Sequence, residues 1–324
     1  MDKSIICPAC SGEEFKPIAK NNEFYNSRNI LRCLGCGLAF VQPLPSEDEI
    51  NNFYVQQYSL AHKSYDKKSF LDGLISSFSG IFLSMRLRER FRYLKDKGIS
   101  VAGKKVLEIG SANGQFLAAL RKKGADVVGV EPSRVESENS AKKFNIKPIA
   151  TNIDCLLPKQ EATYDIIFSY HILEHLRDPL KELKNIKHLL KEDGYLIGEV
   201  PFTPGNVEAL AGVIKKSVFD NLHLFHFNSK SILSLLEKAD FSDSKIERLE
   251  LKSIFKKIYP QANIHYLHPS FEKAGIVKFF SLLQAFELIL KSNIGQVTMG
   301  PQLIKDLDSE WIGPNDWIRF YARN

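Results

Sequence analysis

The stretch Val106-Leu-Glu-Ile-Gly-Ser-Ala-Asn-Gly-Gln-Phe116 decides the fold. A short apolar run ends at Gly110, and after Gly114 the chain resumes with the 3.6-residue period of an amphipathic helix. That switch across a glycine turn predicts a strand over 105–109 and a helix over 115–123. Gly110 and Gly114 let the backbone bend sharply and let a ligand reach the peptide plane, while the helix N-terminus offers unpaired amide donors. Working outward, short apolar segments recur at 127–130, 147–150, 164–169 and 195–200, with amphipathic segments at 134–144 and 179–190 between them. This alternation is that of a parallel sheet covered on both faces, an α/β nucleotide-binding architecture.

A dinucleotide fold asks for GxGxxG, which the turn does not supply. It offers instead an acidic residue, Glu108, at the end of the strand, and a second, Glu131, at the end of the next strand in VVGVEPS, 17 residues beyond Gly114. A carboxylate at Glu108 repels a pyrophosphate but suits the ammonium of a methionine moiety. Glu131 is placed to accept the hydroxyl protons of a ribose. The pair around a glycine turn therefore points to S-adenosylmethionine as cofactor.

With YDIIFSYHILEHLRDP at 164–179, the chain resembles the class I S-adenosylmethionine-dependent methyltransferases over about residues 101–241. The resemblance implies a Rossmann-like seven-stranded sheet whose closing strand lies at 317–323. It places Glu108, Gly110, Ser111, Gly114, Gln115 and Phe116 at the methionine end, Glu131 and Pro132 at the ribose, and Asn152 with Ile153 at the adenine, with Tyr170 also among the cofactor-binding residues. One departure is visible: Ala112 stands where the family has the middle glycine of its turn. The N-terminus, with CGLAFVQPLPSEDEINNFY at 36–54, is similar to the leader of bacterial sugar and surface-glycan methyltransferases.

That N-terminus carries two CxxC knuckles, Cys7/Cys10 and Cys33/Cys36, whereas Cys155 stands alone. Two knuckles about 20 residues apart, each with glycine close by (Gly12, Gly35, Gly37), read as one tetrahedral zinc site. A redox CxxC would not explain the repetition. The division expected is a zinc-binding module over 1–45, a helical connector over 46–97 opened by a Ser46/Glu49 capping box, and a methyltransferase domain over 98–324. Residues 252–313 are extra to a minimal core, and 275–291 form an amphipathic helix whose stripe would enclose the acceptor, lie on lipid or pair in a homodimer.

The chain has 324 residues, 44% hydrophobic, enough to bury a core without disulfides, and a net charge of +6. Residues 61–105 hold eleven basic residues against four acidic ones, the rest being near neutral. We read this stripe as a solvated helix face. Residues 1–45 carry a net charge of only +1, a poor phosphate-binding surface, so nucleic acid is not the favoured partner. The longest charge-free apolar stretch, residues 73–85, is too short to span a bilayer, and MDKSIICPAC does not read as a secretory signal. The expectation is a cytoplasmic protein, with peripheral membrane contact through the connector as the lesser reading.

Methyl transfer needs in-line approach and, for a hydroxyl or carbon acceptor, a base. The candidates are His223 and His226 in NLHLFHFNSKSI, then His171 and Tyr170. His223 is the first choice, and His226 reads as a half-buried packing histidine. These two could also ligate a second metal, although no carboxylate supports them in sequence. His171-Ile-Leu-Glu-His175 spells HxxEH, but it begins at a strand end, so its two histidines cannot share a helix face as in zinc peptidases. His171 is expected to face the donor methyl and His175 to be structural. The favoured acceptor is a small molecule, a sugar or glycan precursor. An RNA methyltransferase and a non-catalytic scaffold are the alternatives.

Overall fold

The computed structural model describes residues 5–21, 28–50, 86–149, 162–203, 223–249 and 317–324. Its main body is a six-stranded sheet. The strands are β4 (Lys105–Ile109), β5 (Asp126–Val130), β6 (Tyr164–Tyr170), β7 (Leu190–Pro201), β9 (Ser242–Leu249) and β10 (Trp317–Arg323), in the order β5-β4-β6-β7-β10-β9. The first four run parallel, and β10 lies antiparallel between β7 and β9. β4 and β6 are nearly continuous apolar runs because both of their faces are covered, which is why they were legible in sequence. β9 is polar and half-exposed at the sheet edge, and no apolar run announced it.

The strand expected at 147–150 is reduced to one parallel bridge, Val130 to Ile149. Its bonds are Ile149 N–H to Gly129 O, 2.8 Å, and Glu131 N–H to Ile149 O, 3.0 Å. Pro148 has no N–H to give, and among the described residues the segment forms no longer ladder. Six described strands plus this bridge therefore stand where seven strands were expected.

The helices are α1 (86–96), α2 (Gln115–Lys122), α3 (Arg134–Phe144), α4 (Pro179–Leu189) and α5 (Ser229–Lys238). Three of their starts follow capping chemistry. Ser133 accepts from Glu136 N–H, Asp178 accepts from Lys181 N–H ahead of Pro179, and Asn228 and Ser231 form a reciprocal box. The box read at Ser46 and Glu49 is also present, opening a helix at 47.

A second, antiparallel sheet has the order β1-β2-β3-β8, from Phe15–Asn21, Arg28–Cys33, Ala39–Gln42 and Phe225–His226. Its last strand comes from far along the chain: Ala39 pairs with His226 and Phe40 with Phe225. Cys7, Leu38, Phe40 and Val41 share one buried cluster with Phe225, Phe227, Leu235 and Ile318. The N-terminal segment thus has no separate core.

The helical reading of the connector holds for 86–96, where Tyr93 and Leu94 pack with Val106, Phe116 and Phe168. The solvated-face reading of its basic stripe does not hold throughout: Arg90 is buried and Arg86 half-buried. The reason is a pair of buried carboxylates described below. The rest of the connector (51–85), Asn152, Ile153, Cys155 and the 252–313 insertion lie outside the described residues.

Candidate functional site

Gly110 and Gly114 both adopt left-handed backbone, φ +69° and +74°. A Cβ on Gly110 would fall 2.0 Å from Ile172 Cδ1, and one on Gly114 1.9 Å from Ser140 Oγ. Both positions therefore require glycine for conformation and for space. Ala112 is also left-handed, φ +42°, a conformation glycine would adopt more readily. That conformation directs Ala112 N–H onto Glu131 Oε2 at 2.8 Å. Glu131 Oε1 accepts from Ser133 N–H, also at 2.8 Å. Glu131 is thereby fixed between the two loops that follow β4 and β5, with a lone pair left on each oxygen. Burial raises its pKa, against the pull of these amides.

Glu108 is buried at the end of β4, and its Oε2 has no hydrogen-bond partner. Burial pushes its pKa up to about 8, against the attraction of Arg90. Ser111 Oγ is likewise buried and unpartnered, and α2 starts at Gly114 without a side-chain cap. The turn therefore concentrates an unpartnered carboxylate oxygen and an unpartnered hydroxyl at the start of a helix. Pro132 is exposed beside Glu131, and Gln115 opens α2. Phe116 is buried edge-on to Phe168 and Tyr170, with ring centroids 5.0 and 5.4 Å apart.

Arg90 lies over the Tyr170 ring, 3.5 Å from its centroid, and donates to Glu199 Oε2 at 2.8 Å. Glu199 also meets Arg86 at 3.2 Å and is paired by Arg319, which in turn grips Glu89 in a two-pronged bond. Burial opposes the Glu199 charge, yet Arg90, Arg319 and Arg86 hold its carboxyl well below the usual range. Sequence reading missed this network. A lone acid inside the apolar run of β7 and a lone arginine inside that of β10 were the available signals.

His171 sits at the end of β6 in left-handed conformation, and Leu173–His175 form a single 3-10 turn. The two histidines of HxxEH indeed share no α-helix. Arg86 Nη2 lies 2.6 Å from His171 Nε2. Arginine only donates, so that nitrogen accepts and the proton of the neutral ring is on Nδ1, which lies 3.5 Å from Glu174 Oε1. Burial and Arg86 hold His171 neutral. Burial likewise raises the pKa of the Tyr170 phenol, leaving it protonated at neutral pH. His223 is half-buried with its ring centroid 4.8 Å from that of His175. His226 is more enclosed than the half-burial expected, because it lies in β8 opposite Ala39.

The four cysteines come together with all sulfurs within 4.8 Å of one another. The knuckles are built alike. Cys7 N–H donates to Gly12 O and Ser11 N–H to Cys7 O; Cys33 N–H donates to Leu38 O and Gly37 N–H to Cys33 O. Ser11 and Gly37 take the same left-handed position in each. Amides of Ala9 and Cys10 face the Cys7 sulfur, and those of Gly35 and Cys36 face Cys33. A Cβ on Gly12 or Gly35 would come within 3.3 Å of Cys10 Sγ. This donor set suits a tetrahedral zinc ion.

A family described as "Methyltransferase domain" matches residues 83–245. A ubiquinone biosynthesis O-methyltransferase of Actinobacillus pleuropneumoniae is 34% identical over 131 residues, 37% of this chain and 54% of the relative. A tRNA U34 carboxymethyltransferase of Dichelobacter nodosus is 31% identical over 173 residues, 51% of this chain and 55% of the relative. The chain thus spans about half the length of these curated relatives. Among solved structures, a SAM-dependent methyltransferase from Archaeoglobus fulgidus aligns over 74% of this chain and 94% of its own, at 18% identity and a TM-score of 0.47. The turn geometry around Glu108 and Glu131 and the match across 83–245 lead to one conclusion: the chain belongs to the methyltransferase-domain family, whose methyl donor is S-adenosylmethionine.

Proposed function

We propose that the protein moves a methyl group from S-adenosylmethionine to a small-molecule acceptor, a sugar or glycan precursor, at an oxygen in preference to a carbon. The observation that carries the donor part is Glu108, a buried carboxylate with an unpartnered oxygen beside a left-handed turn that Glu131 holds from the other side. Glu108 takes the donor's ammonium, Glu131 its ribose hydroxyls, and Gly110 and Gly114 leave the backbone open to it. When bound, the donor supplies an electrophilic methyl on a positively charged sulfur. Phe116 and Tyr170 give that end of the site apolar walls. The preference for oxygen follows the relative named as an O-methyltransferase. The sugar class rests on the resemblance of the cysteine-bearing leader. Deprotonation of the acceptor depends on His223, since the His171 Nε2 lone pair is engaged by Arg86 and His226 is enclosed in β8.

We assign one structural zinc ion to Cys7, Cys10, Cys33 and Cys36. Isothermal calorimetry with S-adenosylmethionine, on the parent and on Glu131→Ala, tests the donor site. The parent binds, and the variant binds at least tenfold more weakly; a parent that fails to bind leaves only a scaffold. Mass spectrometry of sugar nucleotides incubated with enzyme and donor tests the acceptor class. The tRNA-acting relative supports RNA as the second reading. A salt-dependent gel shift with tRNA, absent under the first reading, decides between them.

A further inference from the structure

We infer that Glu174, His175 and His223 form a second metal centre, separate from the cysteines, for a divalent first-row transition ion. One ligand atom from each lies within 4.8 Å of the other two. Glu174 is fully buried, and neither of its carboxylate oxygens has a hydrogen-bond partner. Its Oε1 stands 4.0 Å from His175 Nε2 and 3.5 Å from His171 Nδ1, beyond hydrogen-bonding reach in both cases. An orphan carboxylate in the interior is costly unless a proton or a cation accompanies it. Two imidazoles facing the same space favour the cation.

The backbone holds this arrangement in place. Leu224 N–H donates to Glu174 O at 2.8 Å, which ties the loop carrying His223 to the turn carrying the other two groups. Two imidazoles with one carboxylate select a transition ion over magnesium or calcium, which prefer all-oxygen sets. Three protein ligands also leave coordination positions for an oxygen ligand. The turn packs directly on the donor site, since the Ile172 side chain occupies the space a Cβ on Gly110 would need. Resting on the function proposed above, the ion would polarise an acceptor hydroxyl so that its proton passes to solvent water, and the dependence of that deprotonation on His223 would then be that of a ligand to the ion.

Full-length protein is first loaded with one zinc at the cysteines and then titrated with Mn²⁺, followed by electron paramagnetic resonance, and with Co²⁺, followed by visible absorption. Expected are one further ion per chain, cobalt bands without sulfur charge transfer, and at least tenfold weaker uptake in Glu174→Gln and His223→Ala. Circular dichroism checks the fold of both variants. The proposal is overturned if the zinc-loaded parent takes up neither ion, or if folded variants bind as the parent does. Donor calorimetry on the same samples separates the two claims. Donor binding without this ion removes only the metal centre, and ion uptake without donor binding removes only the methyltransferase reading.

Discussion

Glu108 is held in a position that suits it only when a cation is present. With its folded pKa raised to about 8 by burial, the carboxyl is protonated at neutral pH before the donor arrives and ionised beside the donor's ammonium. Donor binding near pH 7 should therefore release close to one proton, measured by calorimetry in buffers of different ionisation enthalpy, and Glu108→Gln should abolish the release. The sign for stability follows. A carboxyl with a raised folded pKa binds more protons folded than unfolded, so its contribution declines as pH rises from about 4.5 to about 8 and is flat above. Urea unfolding across that window should show a shallower decline in Glu108→Gln, with Arg90 and Glu131 as the charged neighbours that remain. Gly114→Ala meets both a left-handed backbone and the Ser140 hydroxyl, and should lower stability by about 2 kcal/mol while weakening donor binding.

At the scale of the element, α5 fastens the metal knuckles to the main body. Asn228, its cap, donates from Nδ2 to Cys36 O at 3.1 Å, Lys230 donates to Gly35 O at 2.7 Å, and Lys238 donates to Ser11 Oγ at 2.7 Å. One helix thus reaches both knuckles with residues eight apart on a single face. A Cβ at Gly37 would lie 2.5 Å from Asn228 Nδ2, at a position with φ +76°. Gly37→Ala should therefore cost about 2 kcal/mol and speed zinc loss to a chromophoric chelator. Lys230→Ala, which removes an exposed contact, should change thermal stability by less than about 1 kcal/mol.

At the scale of the whole molecule, two features tie the described elements together. The small sheet is completed by β8 and shares its buried cluster with the large sheet. Stripping zinc should then lower the melting temperature in a single transition rather than melt the N-terminal segment alone, as scanning calorimetry would show. The other feature is the buried ion network joining α1 to β7 and β10 through Arg90, Glu199, Arg319 and Glu89. Arg319→Met takes one of three arginines from Glu199 and leaves Glu89 with Arg92 alone, at 3.7 Å, and should destabilise by about 3 kcal/mol in denaturant unfolding. No helix among the described residues is long and apolar enough to cross a membrane.

By itself the sequence determined the α/β alternation, the starts of the described helices at 115, 134, 179 and 229, the glycine turn and the cysteine set. Each of these is written in local signals: apolar runs in doubly covered strands, capping residues, and paired knuckles. Tertiary structure alone decided that β8 would join the N-terminal sheet, that Arg86 and Arg90 would turn inward, and that Glu174 would meet His223. Those contacts join residues from 49 to over 180 positions apart. No periodicity or spacing along the chain encodes them, because they exist only once separate elements have packed and shut out water.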